Sequence, residues 1–181
     1  MAIAAAAALV TVAARVSVPI PGSPVPQSLQ TLAVVLAGAW LGPVRGTAAI
    51  ILYIVCGAVG LPVFADGASG PQHLVGPTAG YLAGFVAAAG FVGWWCRSSW
   101  GRGWLGVTAA MVAGHLVILF LGWLRLSVLV GPADAWGQGV GPFLWGGAMK
   151  ALVGAGLVDA ARRAGWVGEW GVAGRAAEDA R

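Results

Sequence analysis

The chain has 181 residues, 59% of them hydrophobic and only 9% charged, with a formal net charge of +4 and a mean hydropathy of +0.86. Soluble domains carry about a quarter of their residues charged, and disordered chains are poor in apolar residues, so both classes are excluded. The 30 glycines fit a bundle of helices packed closely in lipid, where small residues let backbones approach.

The first segment, MAIAAAAALVTVAARV, has no basic region before it, and the VPIPGSPVPQ that follows is no small-residue cleavage site. It therefore reads as a first membrane helix rather than a signal peptide. Pro19, Pro21, Pro24 and Pro26 forbid helix and predict a fixed, extended loop. LQTLAVVLAGAWL makes a second helix ended by Gly42-Pro43, Arg45 marks the turn, and GTAAIILYIVCGAVG makes a third. Both fall short of the about 20 residues of a full span, so they are expected to tilt or to lie partly at the interface.

The stretch from Leu61 to Pro77 is rich in glycine and proline yet moderately apolar. Irregular backbone of that kind is tolerated at a membrane where protein covers it or where it lines a cavity. TAGYLAGFVAAAGFVGWW forms a fourth helix, ended by the basic loop CRSSWGRG. A fifth is predicted from about Trp104 to Leu124, then a loop over 125–141. A sixth runs from about Pro142 to Ala161, closed by Arg162 and Arg163. The expected organisation is an all-α membrane domain over 1–163, a six-transmembrane-helix bundle, and a short cytoplasmic tail over 164–181 with Trp166 and Trp170 at the interface.

Six helices put both termini on one side, with Arg45, Arg97, Arg102, Arg162, Arg163, Arg175 and Arg181. Only Arg15 and Arg125 fall on the other side, with Asp66 and Asp134. The positive-inside rule then places both termini in the cytoplasm, in a bacterial-type inner membrane. The same distribution argues against nucleic acid as a partner, because the arginines form no polar, aromatic-studded face. The three unusual loops all face outward, as a lid would.

Lys150, the only lysine, lies eight residues into the last helix, roughly 12 Å below its outer end. A cation near the bilayer centre costs about 2.5–3.5 kcal/mol on insertion scales, and an ionisable residue at such depth is functional by default. The bland alternative is snorkelling to the interface. No acid lies three or four residues away, and Gly146, Gly147 and Gly154 clear the surrounding face. That leaves room for a molecule bearing a carboxylate. Trp145 is placed to close an apolar pocket or to join an interfacial belt.

Gln27, Gln30 and Thr31 open the second helix, whose free amides suit polar ligand groups. Thr78 is explained by capping, and Tyr81 is either a cavity wall or an interface anchor. His115 stands alone on an apolar stretch and reads first as a packing residue, as Cys56 and Cys96 do. Ala2/Ala6 and Ala4/Ala8 give the first helix a small-residue face fit for internal packing or for a second membrane subunit. The helices offer no counter-ion for a Schiff-base pigment, and the chain has neither a Ser/His/Asp set nor HExxH, so an enzyme is not expected.

SPVPQSLQTLAVVLAGAWLGPVRG, GAVGLPVFADGASG, VGPTAGYLAGF and PFLWGGAMK arrive in this order. Together, from about Ala2 to Ala161, they resemble the biotin-transporter family BioY, the substrate-binding S components of energy-coupling factor (ECF) transporters. The resemblance implies a six-helix bundle with a loop-capped biotin pocket near the outer face. It implies as partners a transmembrane coupling subunit, docked on the first helix around Ala4 and Ala8, and two cytoplasmic ATPases. No cofactor is implied, and the chain has no phosphate-binding G-x-x-x-x-G-K-[ST] loop of its own. The candidate ligand set is Lys150, Gly147, Trp145, Gln30, Thr31, Phe64, Thr78 and Tyr81. The family's last-helix pattern resembles Pro-Phe-x-Pro-Gly-Asp-x-x-Lys. Pro142, Phe143, Gly146 and Lys150 match it, while Trp145 replaces a proline and Gly147 the acid. That difference leaves a related vitamin-like carboxylate as the alternative ligand.

Overall fold

The computed structural model describes residues 1–166, so most of the expected tail, including Trp170, Arg175 and Arg181, lies outside the described residues. The order is α1 (Ala2–Arg15), β1 (Ser17–Val18), β2 (Gln27–Ser28), α2 (Gln30–Ala58), α3 (Ala79–Trp95), α4 (Gly103–Val130), α5 (Pro132–Gly139) and α6 (Phe143–Arg163). The proline loop is extended as expected. Its ends also pair as a short antiparallel ladder, with Ser17 opposite Ser28 and Val18 opposite Gln27.

α2 reverses at Gly42, whose backbone (φ 86°, ψ 178°) lies in a region that a Cβ disfavours, and Pro43 follows without an amide donor. Its two arms, 30–41 and 43–58, fold back on one another. The Gln30 side-chain amide donates to the Tyr53 hydroxyl, a pair that an unbroken helix would hold about 34 Å apart. The break at Gly42-Pro43 is therefore where the sequence places it. Ala33 to Ala39 are buried without interruption, so this arm is the centre of the bundle. Its small residues let α3 and the second arm pack against it.

α4 corrects two expectations. It continues beyond Leu124 through Arg125 to Val130, and most of the expected 125–141 loop is helix. A single arginine does not break an apolar helix when its guanidinium finds acceptors. Arg125 donates from Nε to the Gly76 carbonyl at 3.4 Å and from Nη2 to that of Val75. Gly131, at φ 91°, ends the helix, and Pro132 begins α5, where a missing amide donor is harmless.

The arginines sort to the two ends of the bundle. At one end Arg15 donates to the Pro62 carbonyl, and Arg125 holds residues 75 and 76. At the other, Arg97 packs on Gly42, and Arg162 donates to the carbonyls of Gly101 at 3.1 Å and Cys96 at 3.3 Å. α2, α4 and α6 are long and apolar enough to cross a membrane by length and composition, although the reversal divides α2 into two shorter arms. The chain is a multi-pass helical membrane protein.

Candidate functional site

A cavity of about 260 Å³ opens at the end held by Arg15 and Arg125, between the helices and the two long loops. That is near the lower end of small-molecule pockets, about 300–1,000 Å³, and suits one compact metabolite. The proline loop contributes Pro24, Val25 and Pro26, and the loop after α2 contributes Phe64, Asp66 and His73. Leu82, Phe85, Ile118 and Leu119 make the remainder largely apolar.

An aromatic wall runs along one side. Phe64 stands edge-to-face on Tyr53 at 5.6 Å and on His73 at 5.5 Å. The Phe64 ring lies directly over Gly57, where any Cβ would collide with it. Gly57 also accepts the Gly70 amide at 2.7 Å, so the loop folds back onto the second arm of α2. On the opposite side the Tyr81 ring tilts against Phe143 at 6.4 Å, and its hydroxyl donates to the Gly139 carbonyl at 2.7 Å. Of the two roles open to it in the sequence, Tyr81 is the cavity wall.

Lys150 enters from α6. Its ammonium donates to the Ser28 carbonyl at 2.7 Å and to Thr31 Oγ1 at 3.3 Å, leaving its third N–H without an acceptor among the described residues. Snorkelling is thereby replaced: the amine is held inside the cavity wall. Ser28 Oγ donates to Gln30 Oε1 at 2.9 Å, and the other end of that amide goes to Tyr53. Asp66 lines the same cavity, but Oδ1 accepts from the Ser17 hydroxyl. Among the described residues the one ion pair is Arg163–Asp159 at 2.8 Å, far from this site. The Lys150 charge thus has neutral oxygens around it and no carboxylate.

Six of the eight ligand-set residues meet here: Lys150, Gln30, Thr31, Phe64, Thr78 and Tyr81. Trp145 does not. It is 84% exposed on the outer face, because five residues along a helix turn it about 140° away from Lys150. Gly147 is buried against α4 rather than on the cavity wall, with His115 3.8 Å from where its Cβ would stand. The cleared face is also narrower than expected. The Gln27 amide fills the space at Gly146, and Leu32 and Met111 close on Gly154 at 3.1 and 3.2 Å. Ala4 and Ala8 are exposed on α1, while Ala6, Ala7, Val10 and Ala14 face the bundle.

Tyr53, Asp66 and His73 were missed. Tyr53 enters only because the two arms of α2 lie side by side and bring it to Gln30, a pairing that no local pattern announces. Asp66 and His73 lie in a loop whose cavity-lining character was legible but whose side-chain directions were not.

This is a polytopic membrane protein with a largely apolar cavity under two long loops and a part-buried cation in its wall. A family model described as the BioY family matches residues 1–165. The chain is 40% identical over 144 residues to the probable biotin transporter BioY of Pyrococcus horikoshii, covering 80% of this chain and 83% of that protein. It is also 40% identical over 149 residues to the biotin transporter BioY of Thermotoga maritima, covering 82% and 86%. The chain belongs to the BioY family. The crystal structure of the S-component for biotin from an ECF-type ABC transporter shares its fold, with a TM-score of 0.80, 24% identity, and coverage of 93% and 90%.

Proposed function

We propose that this chain is the substrate-capture subunit of an ECF-type importer and that its ligand is biotin. The observation that carries the reading is the Lys150 ammonium, fixed in the wall of a largely apolar, lidded cavity with no carboxylate beside it. A charge in that position favours a ligand that brings its own anion, since an unpaired buried charge is strongly destabilising. Biotin offers a carboxylate for Lys150 and Thr31, an aliphatic chain and thioether ring for Phe85, Ile118 and Leu119, and a ureido head for the polar groups. The names carried by the family relatives support the choice.

In this reading the bundle crosses the cytoplasmic membrane six times, the two arms of α2 counting separately, with both termini in the cytoplasm. Arg45, Arg97, Arg102, Arg162 and Arg163 then lie inside, following the positive-inside rule. The cavity faces outward under the loops at 17–28 and 61–78. A transmembrane coupling subunit docks on α1 around Ala4 and Ala8, and two cytoplasmic ATPases supply the energy. Calorimetric titration of the purified chain with biotin tests the ligand. Saturable binding at one site supports the reading, and the absence of binding overturns it. A related vitamin-like carboxylate without a ureido head is the second reading, favoured by glycine at position 147, and competition of labelled biotin by biotin methyl ester and by desthiobiotin separates the two.

A further inference from the structure

Asp66 is the one carboxylate in the wall of the cavity, and the reading above gives it no role. It stands in the short turn Ala65–Gly67, between α2 and α3, with a left-handed backbone (φ 56°, ψ 21°). Among the described residues it is the only one other than glycine at positive φ. Aspartate tolerates that conformation, but glycine adopts it more readily, so the turn itself does not require an acid. Nor does a cation hold the acid there. Arg15 packs on the neighbouring Gly67 and donates to the Pro62 carbonyl, and Asp66 is in no ion pair among the described residues.

The two carboxylate oxygens differ in what they meet. Oδ1 accepts from the Ser17 hydroxyl, which fastens this loop to the chain just after α1. Oδ2 has no protein donor among the described residues. The residue is exposed and lines the cavity with Phe64, Ala65 and Ala68 of the same loop, so a molecule in the cavity can reach it. An ionised carboxylate can only accept, so what meets Oδ2 must donate. Lys150, in the same wall, has the opposite need, and the two charges do not pair with each other. An anion drawn to Lys150 is repelled by Asp66, so a different part of the ligand, one that carries N–H groups, faces the acid. The ureido ring of biotin is such a part.

We infer that Asp66 is a specificity residue of the cavity: Oδ2 accepts a ureido N–H of the ligand while Oδ1 stays with Ser17. This assignment rests on the proposed biotin reading and names the protein group that meets the head of the ligand. A carboxylate at this point favours acids that carry a cyclic urea or amide away from their own carboxylate. It disfavours dicarboxylates, whose second anion would face it.

The test is titration of the purified full chain with biotin and with biotin methylated on both ureido nitrogens, read as the ratio of the two affinities. The unaltered chain should prefer biotin by about tenfold or more, the size of one hydrogen bond to a charged group. Asp66→Gly, which suits the left-handed backbone, should lower that ratio by about tenfold, because the mutation and the methylation remove the same bond. Ser17→Ala removes the fastening but leaves the carboxylate, and should keep the ratio within about threefold of the unaltered chain. Asp66→Asn keeps the turn and an acceptor but loses the charge, and should lower the ratio by about threefold or more; it decides the matter should Asp66→Gly not fold. A ratio that is unchanged in the folded Asp66 variant, or near one in the unaltered chain, overturns the inference while leaving biotin binding intact. A ratio lost as fully in Ser17→Ala as in Asp66→Gly assigns the effect to the fastening and likewise overturns the direct contact. No biotin binding by the unaltered chain overturns both readings at once.

Discussion

Lys150 on α6 donates to the carbonyl of Ser28 at 2.7 Å, across 122 residues of chain, and through that bond the last helix holds the proline loop in place. The contact joins the deepest charge of the bundle to the innermost residue of a lid. Ser28 is also the ladder partner of Ser17, whose hydroxyl holds Asp66 of the second loop. One short β pair thus links the residue that accepts from Lys150 to the residue that donates to Asp66.

Lys150→Met should keep the length of the side chain while removing the charge. A hydrogen bond to a charged group contributes about 1.5–3 kcal/mol, so biotin affinity should fall about 10- to 100-fold. Arg45→Ala, at the opposite end of the bundle, should leave affinity unchanged. Calorimetric titration of the three proteins side by side reads the difference.

Trp145→Ala should bind biotin as the unaltered chain does, because the indole is 84% exposed on the outer face. A loss of more than about threefold would place Trp145 at the ligand after all.

Tyr53→Phe should lower stability by about 1–3 kcal/mol, since it strands the buried amide of Gln30. Thermal unfolding in detergent should show a lower midpoint. Gln30→Leu combined with Tyr53→Phe should recover part of the loss, because no polar group is then left unmatched.

Gly57→Ala should displace Phe64, whose ring occupies the position of the added methyl. Small-to-large changes at packed positions cost about 1–3 kcal/mol. Here the strain falls on the lid, so ligand release should accelerate while the helical signal in circular dichroism is retained. Stopped-flow dissociation of a fluorescent biotin derivative measures this rate.

Particular residues show how far the sequence could be read. Gly42 and Pro43 marked the reversal of α2, because a positive φ and a missing donor are properties of single residues. Lys150 stood out for the same reason: a lone cation in an apolar run is anomalous without reference to any neighbour. The end of α4 was misjudged because Arg125 looked like a boundary, whereas its acceptors come from residues 75 and 76, about 50 positions earlier. Tyr53 was invisible because only the folded hairpin brings it to Gln30. Trp145, five residues from Lys150, is turned about 140° away from it and lies exposed, as an interfacial belt residue would. Local chemistry was legible, and long-range pairing was not.

The most direct measurement of the central claim is titration of the unaltered chain and of Lys150→Met with biotin and with biotin methyl ester. The unaltered chain should prefer the acid by about tenfold or more, and Lys150→Met should bind both weakly and about equally. Equal binding of acid and ester by the unaltered chain, or full biotin affinity in Lys150→Met, would contradict a carboxylate held by Lys150.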